Sequence, residues 1–261
     1  MEKVQEQKFL AISLFAIVFG ILITNMISEK TAIVFASWTY VATAGSVLVL
    51  SIIIAIKTRL IGSHGKAWVL FAVVAISWFV AEQLWNVYEL ILDIDPYPSE
   101  ADFFRIFGYP FYFGFLIFYL KQFRKAISKK MIVLSSLFAL GLLVPSLYIS
   151  FDSELDLNDI ENILGLTYPV LDVIVFVPAL IGVALFFTGK VNFLWTLMCF
   201  AIFCDIIADV GFLFTTLEET YYSGHPIEIL YHWSYILFAF GIYDHYKVFR
   251  IKKIKVQDTP E

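Results

Sequence analysis

Charge is scarce in this chain. Asp, Glu, Lys and Arg make up 16% of its 261 residues, against about 25% in ordinary soluble domains. Too little polar surface remains to coat a globule that is 60% hydrophobic, so a soluble enzyme and a disordered protein are excluded. Cysteine is scarcer still. Cys199 and Cys204 lie five apart in one apolar run, on different helix faces, which excludes a secreted disulfide scaffold and offers no redox reading. No lysine lies inside an apolar run, so a retinal Schiff base is unavailable. No GxSxG, HExxH or phosphate-cradling glycine run occurs. Asp205-Ile-Ile-Ala-Asp209 has the DxxxD spacing of intramembrane prenyltransferases, but the second acidic motif and the basic residues for a diphosphate are missing. The four histidines are too scattered in depth to suggest a pair of haem ligands. No catalytic constellation and no cofactor is evident, and no basic patch points to nucleic acid.

What the chain has is apolar length. Eight runs, at about 9–27, 32–56, 67–92, 103–120, 131–150, 165–187, 192–216 and 227–246, are each long enough at 1.5 Å per residue to cross about 30 Å of hydrocarbon. They lack period-two alternation, which selects helices over a barrel. The expected fold is therefore an all-α polytopic membrane bundle of about eight helices, in contact with lipid. Sixteen of the eighteen Lys and Arg fall on one side of such a chain, leaving only Lys30 and Arg105 on the other. The positive-inside rule then puts both termini and the basic tail 247–261 in the cytoplasm, as an even number of spans requires. The opposite loops are acidic: Asp93 to Asp102, Asp152 to Glu161, and Glu218-Glu219. The absence of an N-x-S/T sequon fits a prokaryotic cell membrane.

A shift of 127 residues lays Ala81-Glu82-Gln83-Leu84-Trp85 on Ala208-Asp209-Val210-Gly211-Phe212. It also lays Phe111, Phe113, Gly114 and Tyr119 on Phe238, Phe240, Gly241 and Tyr246. This pattern predicts one membrane domain made of two parallel four-helix repeats, 9–125 and 131–250.

The acids inside the runs carry the functional reading. Glu82, Glu89, Asp172, Asp205 and Asp209 each cost about 2.5–3.5 kcal/mol at a helix centre, so they belong in the bundle interior with partners. Glu82, Asn86 and Glu89 form one helical stripe, and Asp205 and Asp209 another. Asp172 and Asp209 each lie about 10 Å below the outer boundary, while Arg105, Tyr109, Tyr168 and His232 enter from outer ends. The inner halves are almost wholly apolar. Buried acids can simply hold helices together through Tyr, Trp and His, at about 0.6 kcal/mol per contact. Five at one level, against one Arg and one His, point instead to a ligand pocket open to the outside and closed below. Glu82, Asp172, Asp205 and Asp209 should line it between spans 3, 6 and 7, with Arg105 and His232 at its mouth. Two carboxylates in contact share a proton or a metal rather than both ionise bare, so a bound cation is expected. Tyr97, Tyr221, Tyr222 and Trp233 read as an interfacial belt.

Pro96-Tyr97-Pro98 should stop span 3, after which Ser99 or Asp102 caps span 4. The string Tyr97-Pro98-Ser99-Glu100-Ala101-Asp102-Phe103-Phe104, followed by Gly108-Tyr109-Pro110, resembles the "PSxADxFY…YP" signature of a bacterial membrane-sensor region. That region precedes diguanylate cyclase and cyclic-di-GMP phosphodiesterase domains. Tyr168-Pro169-Val170-Leu171-Asp172 resembles its "YPxxD" element, and Ala208-Asp209 followed by Trp233 its "AD…W" element. No output domain follows span 8 in this sequence. The resemblance implies a sensory or ligand-binding membrane module acting through a cytoplasmic signalling partner. A small cation or proton transporter is the alternative, and an intramembrane metal-dependent enzyme the third reading. A transporter should carry polar residues through the inner half, and here they stop.

This topology makes a direct prediction. Cysteines introduced at Ser99, Asn158 and Ser223 should react with a membrane-impermeant thiol reagent from outside the cell. Labelling only after the cytoplasmic face is opened would reverse the orientation.

Overall fold

Long apolar runs become long helices because hydrocarbon leaves the backbone no other hydrogen-bond partner. The computed structural model describes the backbone of residues 2–152, 160–187 and 191–257, and side chains over 4–148, 160–187 and 191–247. It contains α1 (Glu2–Ile27), α2 (Glu29–Thr58), α3 (Gly62–Val87), α4 (Glu100–Leu120), α5 (Lys129–Asp152), α6 (Ile160–Phe186), α7 (Asn192–Leu217) and α8 (Glu228–Gln257). No strand occurs among the described residues. The all-α bundle is as expected, and seven helices are long and apolar enough to cross a membrane. Helix α8 is more polar because much of its surface faces the interior, with His232, Ser234 and His245 all buried. It also runs past the expected end at 246 to Gln257, so the backbone of the basic tail continues the helix. The tail's side chains from residue 248, and Asn158, lie outside the described residues.

Each helix packs on its neighbours in sequence within 1–4 and within 5–8. Three further contacts join the halves: α1 and α2 lie against α8, and α4 against α6. The α1–α2 turn, the 93–99 segment and the 218–227 segment meet at one end of the bundle. There Asn25 Nδ2 donates to Gly224 O at 2.7 Å, Tyr222 bonds Asn25, and the rings of Tyr97 and Phe212 lie 5.0 Å apart. This is the acidic end. At the opposite, basic end, Lys57 donates to Tyr246 and Lys247 pairs with Glu6. Ser223 is buried and accepts from Trp85 Nε1 at 2.9 Å, so exposed Glu219 is the better labelling position in that segment.

Helix α3 ends in a π-helical turn, Tyr88–Leu92, closed by Asp93 in the left-handed region at φ 56°. The two prolines then hold a bent segment with a cis Tyr97–Pro98 peptide, and Tyr97 Oη donates to Glu161 O at 3.2 Å, tying it to α6. Ser99 caps α4 in a reciprocal box with Asp102, whose Oδ2 accepts from Ser99 N at 2.9 Å. The cap therefore turns Asp102 inward at the top of α4.

Below that level the core is aromatic. Trp68, Phe71, Tyr112, Phe115, Phe176, Trp195 and Phe238 are fully buried, and Trp68, Phe71, Tyr112, Phe115 and Phe238 form one cluster of ring contacts, for example Phe71 edge-on to Tyr112 at 5.8 Å. Phe9, Phe15 and Phe19 on α1 and Leu134, Leu137 and Phe138 on α5 are exposed, the faces expected against lipid. Close helix approach depends on missing side chains. A Cβ on Gly108 would lie 2.3 Å from Trp78 Nε1, and one on Gly182 would lie 1.9 Å from the Trp195 ring. At Gly108 the approach lets Trp78 Nε1 donate to Arg105 O at 3.1 Å and Ser77 to Phe104 O at 2.6 Å.

Gly182→Ala should therefore destabilise the bundle by about 1–3 kcal/mol, the usual cost of overpacking. Gly141→Ala, with nothing within 4 Å, should be close to neutral. Melting curves in detergent compare the two; equal effects would refute this account of the α6–α7 contact.

Candidate functional site

The acids converge on one cavity of about 90 Å³ at the acidic end. A single water needs about 10–15 Å³ on that measure, so several waters or one small molecule fit. Helix α3 contributes Trp78, Glu82 and Trp85, and α4 contributes Asp102, Arg105 and Tyr109. Helix α6 contributes Gly165, Tyr168 and Pro169, and α7 contributes Asp205, Asp209, Phe212 and Leu213. Helix α8 adds Glu228, Tyr231, Ser234 and Tyr235; Tyr40, Tyr97 and Tyr221 complete the wall. The site thus draws on five helices and on Tyr40 of α2, more than the three spans expected.

Nearly every acid is held by a tyrosine from another element. Tyr109 Oη donates to Asp172 Oδ1 at 2.6 Å, and Tyr168 Oη to Asp102 Oδ1 at 2.6 Å. Tyr235 Oη donates to Glu82 Oε1 at 2.8 Å, Tyr221 Oη to Glu228 Oε1 at 2.5 Å, and Tyr231 to Asp209. Asp205 instead accepts from Ser234 Oγ at 2.8 Å, and Glu228 Oε2 also accepts from Gly224 N at 2.8 Å. Arg105 is the one cationic side chain among the described residues lining the cavity. Its Nη2 lies 3.4 Å from Glu82 Oε2, and its guanidinium rests 4.6 Å from the centre of the Trp85 ring.

Six expected residues, Glu82, Arg105, Tyr109, Tyr168, Asp205 and Asp209, line the cavity. Four do not. Asp172 sits behind the wall, 2% exposed, against the Asp209 carboxyl; its Oδ2 has no hydrogen-bond donor among the described residues. A proton shared between the two carboxyls would supply one. Asn86 turns away and donates to Ser37 O on α2 at 3.4 Å. Glu89 lies one turn further out, where the π-helical turn carries it beside Ser223 and out of the cavity stripe. His232 is not at the mouth. It is fully buried, its ring tilted against that of Tyr40 at 3.9 Å between centres, with neither ring nitrogen hydrogen-bonded among the described residues.

Several lining residues escaped the sequence reading. Asp102 read only as a cap, and Glu228, just inside the 227–246 run, was not singled out. Tyr221 and Tyr97 read as an interfacial belt, yet both line the cavity, and Trp233 donates to Leu14 O at 3.0 Å inside the bundle. The available signal was the stripe Tyr231, Ser234, Tyr235 and Phe238 on α8, whose i, i+3, i+4, i+7 spacing gives a polar upper half and an aromatic lower half.

The fold and site define a multi-pass helical membrane protein with an acidic, tyrosine-lined cavity near one end. No protein-family model matches the chain, and no curated protein or solved structure matches it either.

The Tyr109–Asp172 bond can be weighed by a double-mutant cycle. Tyr109→Phe should destabilise by about 1–3 kcal/mol, because it strips a donor from a buried carboxyl. Asp172→Asn should lose less in the Tyr109→Phe background, with a coupling of about 0.6–1.7 kcal/mol. Strict additivity would show that the pair does not interact.

Proposed function

We propose that the protein is a membrane-embedded sensor or ligand-binding module that acts through a partner. The resemblance of the 97–110, 168–172 and 208–233 elements to a bacterial membrane-sensor region supports a sensory role. The 16-to-2 distribution of basic residues supports a prokaryotic plasma-membrane location with both termini in the cytoplasm, so that the cavity opens outward.

One observation carries this reading over transport. Polar lining stops at the level of Trp78 and Tyr109, and the next ten residues of α3, down to Trp68, face a continuous aromatic core. Ten residues of helix span about 15 Å. A site that opens on one side and rests on a solid floor suits detection rather than passage. Helices α3, α4 and α8 run from the cavity walls to the basic end, so displacement at the site can reach a cytoplasmic partner. The second reading, a small cation or proton transporter, draws on the buried Tyr112 hydroxyl, a polar group within the floor with no partner among the described residues.

The charge balance sets what binds. Glu82, Asp102, Asp205, Asp209 and Glu228 face one guanidinium, and they cannot all be ionised in a low-dielectric cavity without further positive charge. The cavity therefore takes up protons or a cation and rejects anions. Trp78 and Trp85 in the wall provide a reporter. The purified chain in lipid nanodiscs, titrated with sodium, calcium and methylammonium chlorides at constant ionic strength, should show a saturable tryptophan-fluorescence change with at least one of them. Asp209→Asn should abolish that change while keeping a melting temperature close to wild type, since the amide oxygen still accepts from Tyr231. An unchanged titration in Asp209→Asn would reject the cavity as the site, and cation flux across sealed proteoliposomes would favour the transporter.

A further inference from the structure

The cavity wall is built for one kind of cation more than for others. A metal ion wants oxygen ligands converging within about 2.0–2.6 Å of one point. No group of three or more His, Cys, Asp or Glu side chains among the described residues is arranged to do that. The acids are spread around the wall, and tyrosine hydroxyls occupy most of them. Between the acids stand aromatic side chains, chiefly Trp85, Tyr40 and Tyr235, and the face of Trp85 already carries the Arg105 guanidinium. Diffuse negative charge with aromatic faces is the environment that favours a large, weakly hydrated organic cation.

The chain already places such a cation there. The Arg105 guanidinium rests on Trp85 and touches Glu82 through one long contact of 3.4 Å. A bidentate fork would be stronger and shorter, at about 2.7–2.9 Å. A quarter of the Arg105 side chain stays exposed, whereas Glu82 is 8% exposed. The charged head is loosely held at a place where a guanidinium is well matched.

We propose that the cavity binds a small organic ammonium or guanidinium ion, and that the ligand's cationic head takes the position the Arg105 guanidinium holds on Trp85 and Glu82. Arg105 is then an internal competitor. It keeps Glu82 paired when the site is empty and is released from α3 when ligand arrives. Because Arg105 is on α4 and Glu82 on α3, binding uncouples two helices that otherwise share an ion pair. This inference rests on the ligand-binding reading above and narrows its ligand class.

The test uses the full chain in nanodiscs and follows tryptophan fluorescence and thermal stabilisation. The probes are methylguanidinium and tetramethylammonium chlorides, against sodium and calcium chlorides at equal ionic strength. Wild type should respond saturably to the organic cations, and Arg105→Ala should bind methylguanidinium about tenfold more tightly, as expected when a competing cation–π and ionic contact is removed. Sodium should not substitute for it. Trp85→Leu in the Arg105→Ala background should erase the preference for organic cations, and Trp85→Phe should restore part of it. If Arg105→Ala does not fold, the charge-balanced Glu82→Gln/Arg105→Gln protein serves, and it should lose the organic-cation response. An Arg105→Ala protein that binds no tighter, or one that takes sodium or calcium as readily, overturns the proposal. If calcium or sodium binds in an Asp209-dependent way while the organic cations do not, the ligand class is wrong and the binding site survives. If nothing binds, both fall.

Discussion

A carboxyl group inside a membrane protein must have a partner, and the arrangement of this bundle follows from finding partners for six of them. Inserting one at a helix centre costs about 2.5–3.5 kcal/mol. A hydrogen bond between helices returns about 0.6 kcal/mol. The tyrosine and serine bonds to Glu82, Asp102, Asp172, Asp205, Asp209 and Glu228 therefore recover only a small part of the cost of six ionised groups. The remainder calls for water, protons or a counter-cation. That is why these residues surround a cavity near one end instead of packing dry at the centre.

The same pairs fix the helices relative to one another. Tyr109 of α4 reaches Asp172 of α6, Tyr168 of α6 reaches back to Asp102 of α4, and Tyr235 of α8 reaches Glu82 of α3. Such contacts have direction, which apolar packing against lipid-like surroundings does not supply. Beneath them the aromatic floor is close-packed and admits tight helix approach only where glycine allows it, as at Gly108 beside Trp78 and Gly182 beside Trp195. The polar layer sets register and the aromatic layer sets distance. A ligand that rearranges the polar layer acts on the contacts that orient α3, α4, α6 and α8.

Much of this was legible in the chain before folding. Apolar run length settled the helices, because the bilayer removes every alternative for the backbone. The depth of Glu82, Asp205 and Asp209 was readable from rise per residue, and their convergence followed from having no other place to go. What periodicity alone could not supply was the direction of side chains near helix ends. Asn86 and Glu89 share a stripe with Glu82, but α2 packs against Asn86, and the π-helical turn at Tyr88–Leu92 rotates Glu89 out of line. Tyrosines posed the converse difficulty. Near a helix end a tyrosine suits an interface as well as it suits a buried acid, and only the position of Glu228 decides that Tyr221 turns inward. Asp102 was hidden by having two roles, one oxygen serving the α4 cap and the other accepting from Tyr168.

Water that reaches the acids from one side should stop at the aromatic floor. Tyr231 and Phe238 lie two turns apart on α8, the first half-buried on the cavity wall and the second fully buried in the floor. With Cys199 and Cys204 replaced, Tyr231→Cys should react with a small membrane-impermeant methanethiosulfonate from the outer face alone. Phe238→Cys should be protected from both faces. Reaction of the Phe238→Cys protein from either side, or of the Tyr231→Cys protein from the cytoplasmic side, would contradict a cavity that opens outward and ends at the floor.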